Sequence, residues 1–378
     1  MITFSPDKFG FYRVGERTTY SKFEALEWSK ETNIQFEWDF NRKIFDSIDW
    51  KKEPETDLWT MYKARARQIR EAYDYVVLWY SGGSDSHNIL CAWIEEGLKI
   101  DEIATTWNYE QTGELENHYN AEITNVVLPD IKKLQDSGIE FKFRLLDMGE
   151  FCMDLFPTWG TNFEYNVNFH FSPNNPAKHL FRDKVQDYKD LIAAGKKVCF
   201  VWGKEKPFLR LDPTTDRHYV TFCDNVDNCV GPYVQRNYYK GWYDEFFYWS
   251  PDFPLIPVKQ AHVMNNFIKL ADDPKFFSPA QVDKWQTNGV SRKHGHLLDG
   301  VVKVLLYPKW SNDIFCNGKT LSFTYSARDK WFFESNMEQL PRFIDITNTY
   351  FNKIDPTDQK RRNIYPLSSP HTPTYWIE

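Results

Sequence analysis

A chain of 378 residues, 42% hydrophobic and 26% charged, has the composition of a folded globular protein with one large domain or two smaller ones. Its net charge of −7 argues against a broad nucleic-acid surface and leaves room only for a local basic groove. No stretch approaches the ~20 apolar residues of a membrane-crossing helix.

Residues 1–74 read as an N-terminal α+β extension. Ile2-Thr-Phe, Phe11-Tyr-Arg-Val and Thr18-Thr-Tyr predict short strands around turns at Gly10 and Gly15. Ser21 and Glu24 have the spacing of a capping box, which starts a helix running to about Trp28. Between Glu55 and Tyr73, residues Leu58, Met61, Tyr62, Ile69, Ala72 and Tyr73 share one face of an amphipathic helix. Arg65 interrupts that face, and Lys63, Arg67 and Arg70 read as its solvated side.

Residues 75–215 read as a nucleotide-binding core. The short apolar run Val76–Tyr80 is a buried strand, and Asn88 to Ile94 a largely buried helix ending near Gly97. Between them stands Ser81-Gly82-Gly83-Ser84-Asp85-Ser86. A strand, a Gly-rich turn and a helix bring free backbone N–H groups and a positive helix end to one point, where phosphate binds. The glycines allow close approach of an anion. Ser81, Ser84 and Ser86 add hydroxyls, and Asp85 adds a carboxylate suited to Mg²⁺.

This six-residue motif resembles the PP-loop of the ATP pyrophosphatase superfamily, of the asparagine synthetase and 7-cyano-7-deazaguanine synthase type. No Gly-Lys-Ser/Thr follows, so it is not a Walker A loop. The resemblance covers residues 75–215 and implies a HUP-like, doubly wound parallel α/β sheet. It also implies ATP and Mg²⁺ as ligands, with the loop on the pyrophosphate part and reaction at the α-phosphorus. Ile2 stands where the asparagine synthetase type has a catalytic Cys, so nitrogen or sulfur is expected from an external donor.

Further strands are expected at Glu102–Asn108, Ile139–Leu146 and Lys197–Trp202, with helices at Glu114–Gln135 and His179–Ala194. Alternating strands and helices imply a parallel sheet with ligands at its carboxyl ends. Gly203-Lys204-Glu205-Lys206 then points where the Ser81–Ser86 turn points. Glu205 suits Mg²⁺, and Lys204 or Lys206 suits pyrophosphate oxygens; an ordinary exposed Lys-Glu-Lys turn fits equally well. This loop lacks the Gly-x-Gly-x-Asp-Glu letters of asparagine synthetases. The resemblance places adenine and ribose near Thr105, Thr106, Trp107 and Asn108, of which Trp107 suits the core better.

Residues 216–378 read as an aromatic-rich substrate or interaction region. Tyr238 to Trp249 is dense in rings, Pro251, Pro254 and Pro257 break regular structure, and Val258–Leu270 predicts a helix. Lys259, His262, Arg292 and His294 are candidate contacts to an anionic acceptor, with plain surface exposure as the alternative for the Ser291–His296 cluster. The aromatic run and the Lys-Gln-x-His stretch resemble PP-loop proteins of tailed bacteriophages, a resemblance that names no reaction.

The six Cys form no Cys-x-x-Cys and read as reduced cytosolic thiols, so a cytoplasmic protein is expected. The leading expectation is an ATP-dependent ligase that adenylates an acceptor oxygen, releases pyrophosphate and forms a C–N bond. Amination or thiolation of a nucleobase in tRNA or DNA is the alternative, against which the acidic balance weighs. A non-catalytic nucleotide-binding protein is the third reading.

Overall fold

The computed structural model describes residues 1–107, 123–147, 181–203, 208–212, 214–222, 240–271, 304–310 and 372–378. The chain begins with β1 (Phe11–Val14), β2 (Arg17–Thr19), α1 (Lys22–Thr32), β3 (Glu37–Asp39), α2 (Arg42–Phe45) and α3 (Leu58–Ala72). Then come β4 (Tyr75–Trp79), α4 (Ser84–Glu95), β5 (Glu102–Trp107), α5 (Leu128–Asp136) and β6 (Lys142–Asp147). The remaining elements are α6 (Gln186–Ala193), β7 (Val198–Trp202), β8 (Phe208–Asp212), β9 (Arg217–Thr221), β10 (Trp242–Phe246), α7 (Leu255–Ala271) and β11 (Tyr375–Trp376).

The protein has an α/β fold around a five-stranded parallel sheet in the order β10-β7-β4-β5-β6. Two antiparallel sheets of three strands flank it, β2-β1-β3 and β11-β9-β8. Side chains alternate between the faces of a strand. On one face, Glu245 of β10 meets Arg65 of α3; on the other, Phe200 of β7 meets Tyr188 of α6. Helices therefore cover both faces, with α3 also packed on α4 and α7.

The parallel sheet does not end near residue 215. Trp242–Phe246, read from sequence only as a ring-dense run, is its fifth strand and pairs with β7 from Trp242↔Val198 to Phe246↔Trp202. Ile2-Thr-Phe is not a strand; the Thr3 N–H instead donates to Asp252 Oδ1 at 2.8 Å. Of the helix expected at Glu114–Gln135, residues 114–122 lie outside the described residues; from Ile123 the chain runs through a π turn, Ile123–Val127, into α5, where Pro129 lacks the N–H for an α-helical bond back to Asn125. Pro257 does not break α7, because it lies in the first turn, where no N–H partner is required.

Arg65 is fully buried on α3 and bonds Glu245 Oε2 at 2.7 Å and the Phe246 carbonyl at 3.0 Å. The basic side of that helix is paired rather than simply solvated. Lys63 and Arg67 reach Glu96, and Arg70 reaches Asp101. Among the described residues, no helix is long and apolar enough to cross a membrane.

Candidate functional site

The chain leaves the central strand β4 toward β5 and β6, then returns to place β7 and β10 on the other side. In sheets of this kind ligands bind where the strand order changes direction, which here is at the carboxyl ends of β4 and β7. Ser81–Gly83 follows the first of these ends and Gly203 the second. The two turns touch. A Cβ built on Gly203 would lie 3.1 Å from Asp85 Cβ and 3.2 Å from the Ser86 nitrogen.

The turn is shaped by its own atoms. Gly82 takes φ +78°, a region glycine enters without steric cost. Gly83 is the N-cap of α4 and supplies no side-chain cap. The N–H groups of the first helical turn therefore have no partner within the helix and none from a cap. Ser86 Oγ accepts from Ser81 N at 3.2 Å and donates to the Gly83 carbonyl at 3.1 Å, so this hydroxyl braces the turn. Ser84 Oγ is buried without a partner, and Ser81 is exposed. Of the three serines expected as phosphate donors, Ser81 alone offers an exposed side chain.

Asp85 stands in the first turn of α4. Its carbonyl accepts from Tyr248 Oη at 2.8 Å, and its Oδ1 is buried without a hydrogen-bond partner. The Tyr307 hydroxyl faces the same carboxylate, also without a bond of good geometry. Burial above all pushes the pKa values of Tyr62, Tyr248 and Tyr307 upward, and the Asp85 carboxylate adds to the rise in each. An orphaned carboxylate oxygen beside free N–H groups fits a phosphate-bound Mg²⁺, which takes one or two carboxylates and completes its shell with phosphate oxygens and water. Among the described residues no three His, Cys, Asp or Glu side chains gather as an all-protein metal site.

Thr106 is half-buried near the end of β5, opposite Leu146. Lys204, Glu205, Lys206, Asn108, Arg292 and His294 lie outside the described residues. Lys259 and His262 have internal partners: Lys259 Nζ bonds Glu53 Oε1 at 2.7 Å and the Pro54 carbonyl at 2.9 Å, and His262 Nε2 meets the Trp50 carbonyl at 2.9 Å. Both residues thus join α7 to the segment 50–54.

Sequence reading missed a polar cluster beside the turn. Tyr80 Oη lies 3.1 Å from His87 Nδ1, and the Tyr80 hydroxyl also donates to Asp130. His87 Nδ1 is 3.3 Å from Asp130 Oδ2. Burial of the imidazole opposes its charge, but Asp130 and Cys91 outweigh it and raise the pKa to about 9. Asp130 is held below the ordinary carboxylate range: burial works against this, and His87 and Tyr80 prevail. The position of His87 directly after the motif was the one signal available, since nothing in the sequence around Asp130 marks it. Compared with protein-family models and with curated proteins, the chain matches none.

Proposed function

We propose that the protein is an ATP-using enzyme of the PP-loop kind with a HUP-like core, which adenylates an acceptor oxygen and then forms a C–N bond. The observation that carries this reading is the uncapped first turn of α4 under Gly82 and Gly83, with Gly203 against the Ser86 nitrogen. A helix N-terminus that ends in glycine at a sheet switch point is suited to phosphate.

The first-turn N–H groups and the Ser81 hydroxyl would meet the β- and γ-phosphate oxygens. Asp85 would hold Mg²⁺, with Glu205 as a second oxygen ligand, and Lys204 or Lys206 would meet pyrophosphate charge. Thr106 would border the adenosine. Magnesium there supplies charge neutralisation on the leaving pyrophosphate. In the reaction, the acceptor oxygen bonds to the α-phosphorus while the bond from that phosphorus to the bridging oxygen of the β-phosphate breaks. A nitrogen nucleophile then bonds to the activated carbon and AMP leaves with the acceptor oxygen. The protein's share is positioning and electrostatic stabilisation, for which no Ser–His–Asp array is needed.

The test is chromatography of the nucleotide products after incubation with ATP, Mg²⁺ and pools of carboxylate and nucleobase acceptors. AMP and pyrophosphate are expected; ADP as the main product would refute adenylation. Gly83→Val should abolish ATP binding in a folded protein, and unchanged affinity would remove the site.

A further inference from the structure

The six-residue turn Ser81–Ser86 is flanked by two residues whose side chains reach each other. Tyr80 precedes it, His87 follows it, and Tyr80 Oη stands 3.1 Å from His87 Nδ1. Both converge on one oxygen of α5. Tyr80 donates to Asp130 Oδ2, and His87 Nδ1 lies 3.3 Å from the same atom. The turn is thereby closed into a ring across its base.

The surroundings keep that ring shut. Tyr80 is buried, the His87 side chain is 14% exposed, and the Trp310 ring meets the imidazole edge-on with centroids 6.0 Å apart. The Tyr80 backbone is held separately: its N–H donates to the Ala104 carbonyl at 2.8 Å, and its carbonyl accepts from the Thr105 hydroxyl. Entry to the turn is thus anchored on β5, and exit is anchored through His87 on α5. The charged and titratable groups facing His87 are Asp130 on α5, Tyr80 at the end of β4 and Cys91 one turn along α4; Lys133 acts on Asp130.

We propose that Tyr80, His87 and Asp130 form a clasp that holds Ser81–Ser86 in the shape that receives phosphate, with all three acting as positioning residues. The consequence for nucleotide rests on the ATP reading above; the clasp itself does not. A turn with a glycine pair has many conformations, and ordering them costs conformational entropy. Tying its ends before the ligand arrives lowers that cost at binding.

Hydrogen exchange on the nucleotide-free full chain at neutral pH tests the clasp directly. Tyr80→Phe, His87→Gln and Asp130→Asn should each speed exchange in the segment 80–87 by about tenfold, the size of one lost coupling between neighbours, and leave β7 unchanged. In the same variants the KM for ATP should rise by a similar factor of about ten while kcat at saturating ATP stays near wild type. Unchanged exchange in all three variants overturns the clasp and leaves the ATP site standing. Faster exchange in a protein whose wild type binds no ATP keeps the clasp and removes the ATP reading. If a variant unfolds, Tyr80→Phe decides, because it deletes one hydroxyl and keeps the ring.

Discussion

Strands β4 and β10 belong to one parallel sheet, yet they are held in opposite ways. In β4 the residues Val76, Val77, Leu78 and Trp79 are all buried and apolar. In β10 the neighbours Asp244 and Glu245 are both fully buried carboxylates. Adjacent residues face opposite sides of a sheet, so each needs its own partners. Asp244 takes Arg182 at 3.0 Å and the Trp202 indole N–H at 2.6 Å. Glu245 takes Lys8 at 2.5 Å and Arg65 at 2.7 Å, with the Tyr73 hydroxyl as a further donor. A central strand can rest on transfer of apolar surface from water, which any matching face supplies. This edge strand rests on specific cations far away in sequence, and the turn proposed to bind ATP grows from the apolar strand instead.

That contrast makes separable predictions. Glu245→Ala leaves Lys8 and Arg65 buried without their carboxylate and should cost about 3–5 kcal/mol of unfolding free energy. Chemical denaturation measures it, and ATP affinity in the folded fraction should hold. Gly203→Val should do the reverse. Its added carbons press on Asp85 and on the Ser86 nitrogen, so ATP affinity should fall by about tenfold or more, with at most about 1–3 kcal/mol of overpacking cost. Equal loss of stability and affinity in both variants would erase the distinction.

The two regions should also respond to pH from opposite ends. His87 has its pKa raised from 6.5 to about 9, so its contribution to stability is full below 6.5 and is lost as pH rises through 9. The stability difference between wild type and His87→Gln should therefore shrink across that window. Glu245 is depressed below its ordinary 4.5: burial opposes this, but Lys8 and Arg65 outweigh it. Its contribution is present above 4.5 and lost as pH falls through the lowered value. Unfolding measured from pH 3 to 10 in wild type and the two variants checks both signs. The smallest effect belongs to Lys259→Met. Its partner Glu53 has a side chain 38% exposed, so the loss should stay within about 1 kcal/mol. A larger loss would mean that the segment 50–54 matters more to the fold than its exposure suggests.

Strand β4, its Gly-Gly turn and helix α4 were legible because each is set by local chemistry: an apolar run, residues tolerant of φ > 0, and a period of 3.6 residues. The same holds for α3, where Asp57 caps the helix by accepting from Thr60 N at 2.9 Å and the apolar spacing marks the inner face. On that face Arg65 read as an interruption, because its reason, Glu245, lies 180 residues away. Strand β10 was illegible for the same cause, since two adjacent acids argue against a buried strand until their partners are in place. Strands β3, β8, β9 and β11 run from two to five residues and carry too little alternation to be seen.

The six motif residues were identifiable in one dimension because they are contiguous and their chemistry needs only the strand before them and the helix after. Which of their groups are free to meet a ligand was not. Packing turned Ser84 inward, tied Ser86 back to Ser81 and Gly83, and set Tyr248 and Tyr307 against Asp85. It also brought Gly203 and Asp130 beside residues more than 40 positions away. Local order follows from backbone sterics and periodicity, which short segments carry within themselves. Burial, ion pairing and the approach of distant turns depend on where the whole chain closes, and no short segment contains that information.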